Sequence, residues 1–307
     1  MTAIPTAAPA MKDASDNTGR ELKLGLPKGS LEQATADLFR RAGYDLTVSS
    51  RSYTPQIDDD AMSALMFRSQ EMSRYVEDGV VDVGICGHDW VVENNSDVVE
   101  VCELRYSRAT SNPAQWVLAV PEESSVQSVE DLKGGIVATE LVGTVRRFFA
   151  ERGVDVKVEF SWGATEVKAR LIDAIVDITE TGSSLRANKL RVLETILTST
   201  TRMVANKAAW ADPWKRQRIE DLAVLLQGAI QARSMVGLKA NVPKARLAEV
   251  LALLPASQSP TVNELADSEW VAFEVVVDRR VERELVPPLK RAGATGIFSY
   301  ALNKVIG

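Results

Sequence analysis

Short apolar segments alternate with segments of helical periodicity along this chain of 307 residues, and this alternation restricts the folds that it can adopt. Strands are predicted at residues 22–26, 46–53, 80–85, 116–120, 154–160 and 174–178, with helices at 31–42 and 142–152. Strands that alternate with helices indicate a mainly parallel sheet with crossover helices. Because such sheets bind ligands at the carboxyl ends of their strands, the polar loops at those ends are the first candidates for a functional site.

One of these loops has the composition of a phosphate site. After the β-branched strand at 174–178, the chain reads Thr-Glu-Thr-Gly-Ser-Ser and resumes as a helix. Gly182 allows backbone angles that direct successive N–H groups at one point, and a helix start adds unpaired N–H groups. Asp177 and Glu180 would repel a bare phosphate, so a ligand that also carries hydroxyl groups or a divalent cation, such as a sugar phosphate, fits better. An ordinary strand–turn–helix with a serine N-cap is the alternative.

Two further polar loops are expected at the same edge of the sheet. Lys-Gly-Ser at 28–30 follows the first strand, and Gly-His-Asp at 87–89 follows the strand at 80–85. A second α/β lobe extends to about residue 190, and the chain then returns to the first lobe through a strand-like segment at 196–206. Two lobes joined by two crossings form a cleft, as in solute-binding proteins and several transferases.

The last quarter of the chain has a different order of elements. Strands are predicted at 236–242, near 261, at 270–277 and at 296–302, with helices at 244–254 and 281–292. The order βαββαβ is the ferredoxin-like arrangement. It predicts a compact domain of the kind that binds small ligands or pairs subunits.

Composition excludes several classes of protein. With 45% apolar and 25% charged residues the chain is typical of a globular protein, and its net charge of −6 does not suggest a nucleic-acid partner. Two cysteines, Cys86 and Cys102, indicate reduced thiols in a cytoplasmic protein rather than a disulfide framework. Residues 1–20 lack the apolar core of a signal peptide and are predicted to be a disordered tail. No apolar stretch is long enough to cross a membrane, so no membrane association is expected.

Five motifs occur together in an order that is specific to one family. They read LPKGSL at 26–31, GICGHD at 84–89, FSWGATE at 160–166, TETGSS at 179–184 and GLKANVP at 237–243. In these motifs the chain resembles ATP phosphoribosyltransferase, the first enzyme of histidine biosynthesis, in its long form with a C-terminal histidine-sensing regulatory domain. The resemblance covers essentially the whole chain after the tail.

The resemblance implies a reaction between two charged substrates. ATP and 5-phosphoribosyl 1-pyrophosphate (PRPP) would give 1-(5-phosphoribosyl)-ATP and pyrophosphate. Adenine N1 attacks C1 of the ribose, and because N1 is already nucleophilic no catalytic acid or base is expected. Catalysis would depend on positioning by Lys28, Arg68 and Asp177 and on stabilisation of the departing pyrophosphate. Mg²⁺ is the expected cofactor, carried by the substrate pyrophosphate and not by a fixed protein site.

The resemblance also implies an α/β fold with a two-lobed, periplasmic-binding-protein-like (type II) catalytic core and a C-terminal ferredoxin-like βαββαβ (ACT-like) domain. Catalytic lobe I would comprise residues 21–114 and 204–232, lobe II with the PRPP loop residues 115–203, and the regulatory domain residues 233–307. A homo-oligomer, hexamer or dimer, is expected from the family.

The implied site residues form two groups. The PRPP-binding residues would be Asp177, Glu180, Thr181, Gly182, Ser183 and Ser184. The ATP-binding residues would be Lys28, Arg68, Gly87, His88, Asp89 and Glu140. The PRPP-binding group and the ATP-binding group would face each other across the cleft. The alternative for Lys28 and Arg68 is a solvated surface charge, and the alternative for Asp89 is a helix N-cap.

The chain departs from the usual residues of the family at several positions. Ser184 stands where many members have threonine, which keeps the hydroxyl. Cys86 and His88 stand in a motif that often reads Gly-Ile-Thr-Gly-Lys/Arg-Asp, so a permanent cation is replaced by a group with an unperturbed pKa of about 6.5. We predict that His88 lines the ATP cleft and makes ATP affinity pH-dependent; the alternative is a loop histidine without a role.

The regulatory domain of the family binds the inhibitor histidine between domains, remote from the catalytic cleft. The implied effector residues are Asn241, Ser257, Thr261 and Gly296. Some members have an acid where Asn241 stands, and an acid could pair with the α-amino group of histidine, whereas Asn241 can only form a hydrogen bond with it. Feedback inhibition by histidine is expected.

Two other functions are compatible with the same residues. The first is a binding protein, either a solute receptor, which the missing signal peptide disfavours, or a catalytically silent sensor of nucleotide and histidine. The second is a phosphoribosyltransferase for another base, because sugar-phosphate loops recognise PRPP and little in the sequence specifies adenine.

Overall fold

A computed structural model describes residues 20–48, 52–106, 112–163, 165–255 and 260–307. The predicted tail at 1–20 lies, apart from Arg20, outside these described residues. The strands are β1 (Leu22–Lys28), β2 (Leu46–Thr47), β3 (Gln56–Ile57), β4 (Met62–Arg68), β5 (Val83–Gly87), β6 (Val99–Glu103), β7 (Ala114–Pro121), β8 (Ile136–Thr139), β9 (Lys157–Phe160), β10 (Ala174–Thr179), β11 (Leu190–Ser199), β12 (Thr201–Ala205), β13 (Met235–Pro243), β14 (Thr261–Glu264), β15 (Trp270–Asp278) and β16 (Thr295–Ala301). The helices are α1 (Glu32–Ala42), α2 (Ser69–Glu77), α3 (His88–Asn94), α4 (Val142–Glu151), α5 (Thr165–Lys168), α6 (Ser183–Ala187), α7 (Lys207–Ala211), α8 (Pro213–Gln231), α9 (Leu247–Leu253) and α10 (Arg279–Arg291).

The first lobe is a five-stranded sheet in the order β4-β1-β5-β12-β6. Strands β4, β1 and β5 are parallel, and β12 runs antiparallel to β5 and β6. Apolar side chains of β1 such as Leu24 and Leu26 are buried against Phe39 of α1 and Leu222 of α8. Because β1, β4 and β5 point the same way, their carboxyl ends bring three polar loops to one edge.

The second lobe is a five-stranded sheet in the order β11-β7-β10-β8-β9. Strands β10, β8 and β9 are parallel, while β7 pairs antiparallel with both β10 and β11. Phe149 of α4 packs in the core of this lobe with Val176 and Trp116. The two sheets therefore repeat one plan, and their parallel strand ends face the space between the lobes.

The return crossing differs from the sequence prediction. The prediction of one strand-like segment at 196–206 is wrong, because two strands share these residues. Strand β11 ends at Ser199 in the second sheet, and β12 begins at Thr201 in the first. The predicted strand at 46–53 is also wrong: β2 covers two residues and pairs with β3 outside the main sheets. The strand next to β1 is instead β4, which the sequence analysis did not predict.

The C-terminal domain forms a four-stranded antiparallel sheet in the order β14-β15-β13-β16. With α9 and α10 packed on one face, this is the ferredoxin-like arrangement, and the predicted fold class is confirmed. Its core contains Leu238, Phe273 and Leu289, each fully buried.

Hydrogen bonds join the three parts of the molecule. Glu93 at the end of α3 in the first lobe accepts hydrogen bonds from the backbone N–H groups of Gly143 and Thr144 at 2.8 Å each, so it caps α4 of the second lobe. The last residues return to the first lobe. Lys304 Nζ donates to the Ala42 carbonyl at 2.7 Å, and the Val305 N–H donates to the Gly228 carbonyl at 3.0 Å.

Candidate active site

A cleft of about 450 Å³ lies between the two lobes. Its size is within the range of small-molecule sites. Both lobes supply lining residues, including the loops at the ends of β1, β4 and β5 and the return crossing around Thr200. Six of the residues proposed from the sequence line it: Lys28, Arg68, Gly87, Asp89, Glu140 and Glu180.

Lys28 and Arg68 end two neighbouring parallel strands and are partners in the strand register. Lys28 Nζ lies 4.6 Å from the centre of the Tyr53 ring, and Arg68 Cζ lies 5.7 Å from the centre of the Trp162 ring. Trp162 belongs to the second lobe, so the arginine contact crosses the mouth of the cleft. These two cations give the first-lobe wall a positive charge suited to a phosphate chain.

Asp89 is buried, with 4% of its surface exposed, and joins the two lobes. Its carboxylate accepts a hydrogen bond from Trp116 Nε1 at 2.7 Å, and its own N–H donates to Ser199 Oγ at 3.0 Å. Burial raises the pKa of this carboxyl, and the hydrogen bonds from its neighbours oppose that rise. Asp89 is not the N-cap of α3, because Gly87 occupies that position.

Glu140 faces the cleft from the second lobe, directly after β8. Burial raises the pKa of its carboxyl, while hydrogen bonds from the Gly163 backbone and the Gln70 side chain act in the opposite direction. Gln70 lies on α2 of the first lobe, so Glu140 is a second carboxylate held between the lobes. Its position makes it a candidate for contact with ligand hydroxyl groups or a ligand-borne cation.

The loop from Thr179 to Ser184 turns tightly between β10 and the five-residue helix α6. Gly182 has a φ of 70°, the left-handed conformation that glycine adopts without strain, and its N–H donates to Thr179 Oγ1 at 2.8 Å. Thr181 Oγ1 donates to Ser183 Oγ at 3.0 Å, and Ser184 Oγ donates to Glu166. The hydroxyl groups are therefore preorganised, beside the cleft and not among its lining residues.

Asp177 lies at the end of β10, half-buried beside other carboxylates. Burial and the nearby charges of Glu166 and Glu140 raise the pKa of its carboxyl to about 6, although a hydrogen bond from the Ile178 N–H acts in the opposite direction. A carboxyl that titrates so close to neutrality, next to a hydroxyl loop, is suited to bind a ligand that carries hydroxyl groups.

His88 does not line the cleft, which corrects the expectation for this residue. Its Nδ1 lies 3.1 Å from Glu100 Oε1, on the side of β6. The reason is local: Gly87 is in the N-cap position and Asp89 turns inward to Trp116, whereas the side chain of His88, between them, points toward β6.

The structure brings only some of the predicted effector residues together. A Cβ atom at Gly296 would lie 3.4 Å from Asn241 Nδ2, so these two residues are neighbours on β16 and β13. Thr261 is exposed on β14, which β15 separates from β13. Ser257 lies outside the described residues.

Several cleft residues were missed in the sequence analysis. Trp116, Ser199 and Gln70 all line the cleft or hold its carboxylates. The return crossing could have indicated Ser199, because the base of a two-lobed cleft lies where the chain passes from one sheet to the other. Trp116 carried no comparable signal, since a tryptophan at a strand start is ordinarily a core residue.

Within the described ranges, no group of three or more His, Cys, Asp or Glu side chains is arranged to hold a metal ion. In the same residues, no helix has the length and apolar character needed to cross a bilayer.

Comparison with known proteins identifies the family. The family described as "ATP phosphoribosyltransferase" matches residues 68–228, and the family "HisG, C-terminal domain" matches residues 232–304. An ATP phosphoribosyltransferase of Chlorobaculum parvum is 57% identical over 94% of this chain and 99% of its own length. One from Solibacter usitatus is 54% identical over 93% of this chain and 99% of its own.

A solved structure agrees with these relatives. The ATP phosphoribosyl transferase (HisG:HisZ) complex from Thermotoga maritima has a chain that is 25% identical, with a TM-score of 0.58, over 67% of this chain and 98% of that one. Fold and comparisons together define a pentosyl-transferring glycosyltransferase. The chain belongs to the ATP phosphoribosyltransferase family, whose reaction is the first step of histidine biosynthesis, and the predicted family and enzyme class are confirmed.

Proposed function

We propose that the chain joins N1 of the adenine of ATP to C1 of PRPP, releasing pyrophosphate and forming 1-(5-phosphoribosyl)-ATP. The observation that carries this proposal is the charge of the two cleft walls. The first lobe presents the cations Lys28 and Arg68, while the second lobe presents the carboxylates Glu140 and Glu180 beside the hydroxyl loop. Such a pair of walls suits one ligand with a phosphate chain and another with ribose hydroxyl groups.

In this mechanism PRPP binds to the second lobe. Asp177, Glu180 and the loop from Thr181 to Ser184 hold its ribose and 5′-phosphate. The ionised carboxylate of Asp177 accepts hydrogen bonds from the ribose hydroxyl groups. The turn at Gly182 leaves the first N–H groups of α6 open to the phosphate.

ATP binds against the first lobe with its adenine directed at C1 of the ribose. The C1–oxygen bond to pyrophosphate breaks as the N1–C1 bond forms, so negative charge develops on the departing pyrophosphate. Lys28 and Arg68 stabilise that charge. Mg²⁺ enters with the pyrophosphate as part of the substrate and supplies further charge neutralisation. The protein contributes positioning and electrostatics, with no side chain acting as acid or base.

Two further properties form part of the proposal. Histidine inhibits the enzyme from the regulatory sheet, where Asn241 and Gly296 lie side by side. The chain works as a cytoplasmic homo-oligomer, a dimer or hexamer. The relative from Thermotoga maritima, which was solved as a complex of two kinds of chain, supports assembly in the family.

Direct assay distinguishes the proposed reaction from its rivals. The purified protein is incubated with ATP, PRPP and Mg²⁺, and pyrophosphate and phosphoribosylated ATP are measured. Stoichiometric formation of both supports the proposal. Binding of ATP without product would identify a sensor, and product from another base would identify a different phosphoribosyltransferase. Addition of histidine to the same assay tests the inhibition.

A further inference from the structure

Two adjacent cations that line the cleft have no close carboxylate partner among the described residues. Lys28 and Arg68 are register partners on β1 and β4, so their positive charges are neighbours. Among the described residues, no carboxylate forms a salt bridge with Arg68, and the nearest one to Lys28 Nζ is Glu32 at 4.0 Å. A third cation that lines the cleft, Arg105, pairs with Glu103 at 2.7 Å. Lys28 and Arg68 therefore differ from Arg105, because no carboxylate in the described part of the chain lies as close to either of them.

Each of the two cations instead faces an aromatic ring. Lys28 Nζ lies 4.6 Å from the centre of the Tyr53 ring, and Arg68 Cζ lies 5.7 Å from the centre of the Trp162 ring. Both distances are within the range of cation–π attraction. Tyr53 is 62% exposed and Trp162 64% exposed, so burial in a core does not explain either ring.

Local hydrogen bonds anchor both rings. The Tyr53 carbonyl accepts from the Met66 N–H on β4 at 2.7 Å, which fixes this residue to the strand that carries Arg68. Before Trp162, the buried Ser161 hydroxyl lies 3.0 Å from Thr165 Oγ1 and accepts from Lys168 Nζ at 2.8 Å. Both rings are therefore exposed side chains on segments that hydrogen bonds fix in place, Tyr53 in the first lobe and Trp162 in the second.

An aromatic face attracts a cation without occupying its N–H donors in hydrogen bonds. A carboxylate partner would have to be displaced before a phosphate could bind, whereas a ring leaves the donors available. The Tyr53 ring attracts Lys28 within the first lobe, whereas the Trp162 ring attracts Arg68 toward the second lobe. We propose that Tyr53 and Trp162 are positioning residues, which hold Lys28 and Arg68 apart with their N–H donors available, so that both can bind a pyrophosphate group. This inference rests on the proposed function, in which pyrophosphate is the leaving group.

The test measures binding of inorganic pyrophosphate with Mg²⁺ to the full chain by calorimetry. Trp162→Leu and Tyr53→Leu remove the rings, whereas Trp162→Phe and Tyr53→Phe keep an aromatic face. Phe160→Leu is the matched control, since Phe160 is an exposed aromatic residue in the same segment as Trp162. We expect each leucine variant to bind pyrophosphate about three- to fivefold more weakly, the phenylalanine variants to retain most of the affinity, and the control to match the wild type.

The result that would overturn the inference is unchanged pyrophosphate affinity in both leucine variants. Equal weakening in the leucine and phenylalanine variants would also overturn it, because the ring face would then be irrelevant. Turnover of ATP and PRPP is measured in parallel on the wild type. A wild type that makes no product while its pyrophosphate affinity still depends on the rings would refute the proposed reaction and leave the positioning role intact.

Discussion

At the scale of single residues, Asp177 shows how a half-buried carboxyl reduces the stability of the fold. Its carboxyl has a pKa of about 6 against an ordinary 3.8, because burial and two nearby carboxylates disfavour the charged form. The folded state therefore binds more protons than the unfolded state between these two values. Stability falls as pH rises through that window, and the full cost is present above it.

We expect Asp177→Asn to stabilise the protein at neutral pH. Removal of the charge eliminates the cost of ionising a half-buried group, which we estimate at about 1–2 kcal/mol after allowance for solvent screening. Thermal unfolding near pH 7.5 would show a higher Tm than the wild type, and the difference would vanish near pH 3, where the wild-type carboxyl is protonated in both the folded and the unfolded state. An equal Tm at both pH values would contradict the assigned cause.

The same carboxyl predicts a pH dependence of PRPP use. If ionised Asp177 accepts hydrogen bonds from the ribose hydroxyl groups, the KM for PRPP falls as pH rises through about 6 and is constant above it. Asp177→Asn is expected to lose about ten- to hundredfold in kcat/KM for PRPP and to lose this pH step. Steady-state kinetics across the pH range would measure both, and a variant that keeps the step would assign it to another group.

At the scale of elements, α3 connects the two halves of the cleft. Its first turn carries Asp89, bonded to Trp116 of the second lobe, and its last turn carries Glu93, which caps α4. A short helix is therefore fixed to the opposite lobe at both ends. This arrangement favours a cleft whose walls keep a set spacing.

We expect Glu93→Ala to lower stability by about 1–2 kcal/mol, because two N–H groups and the Thr144 hydroxyl lose their acceptor. The KM for each substrate is expected to rise as the spacing of the walls loosens. Glu151→Ala, at the other end of the helix α4 that Glu93 caps, is the control. Chemical denaturation and substrate titrations measure the two effects, and a variant with wild-type stability would show that the cap is dispensable.

The elements also show which parts of the fold sequence patterns can predict. Strands rich in β-branched residues, such as β10 and β13, were predicted to within a residue or two of their bounds. The strand β4, which reads Met-Ser-Ala-Leu-Met-Phe-Arg, was missed because Met, Ala and Leu favour helices, and only its pairing with β1 overrides that preference. The contact between Arg68 and Trp162 could not be predicted, since it joins two lobes whose relative placement no local pattern encodes.

At the scale of the whole molecule, the C-terminal residues hold the C-terminal domain to the first lobe. Lys304 bonds to the end of α1, and Val305 bonds to α8. These contacts lie outside the ferredoxin-like sheet, so they contribute to domain docking more than to the stability of that domain.

We expect removal of residues 304–307 to separate the unfolding of the two parts. Calorimetry would show a single transition in the full chain and two transitions in the shortened one, with the first Tm lower by about 2–4 °C. Histidine inhibition is expected to weaken while uninhibited turnover persists. Ile306→Ala, which keeps the backbone contact of Val305, is the milder control. A single unchanged transition in the shortened chain would show that docking depends on other contacts.

The position of β12 has a consequence for synthesis of the protein. This strand lies inside the first sheet, between β5 and β6, yet it follows the strands of the second lobe in the chain. While the ribosome translates that lobe, β5 and β6 are finished but have no strand between them, and their edges stay open to wrong partners. Slow translation before residue 205 would prolong that exposure, so the time that the nascent chain spends there sets its risk of aggregation.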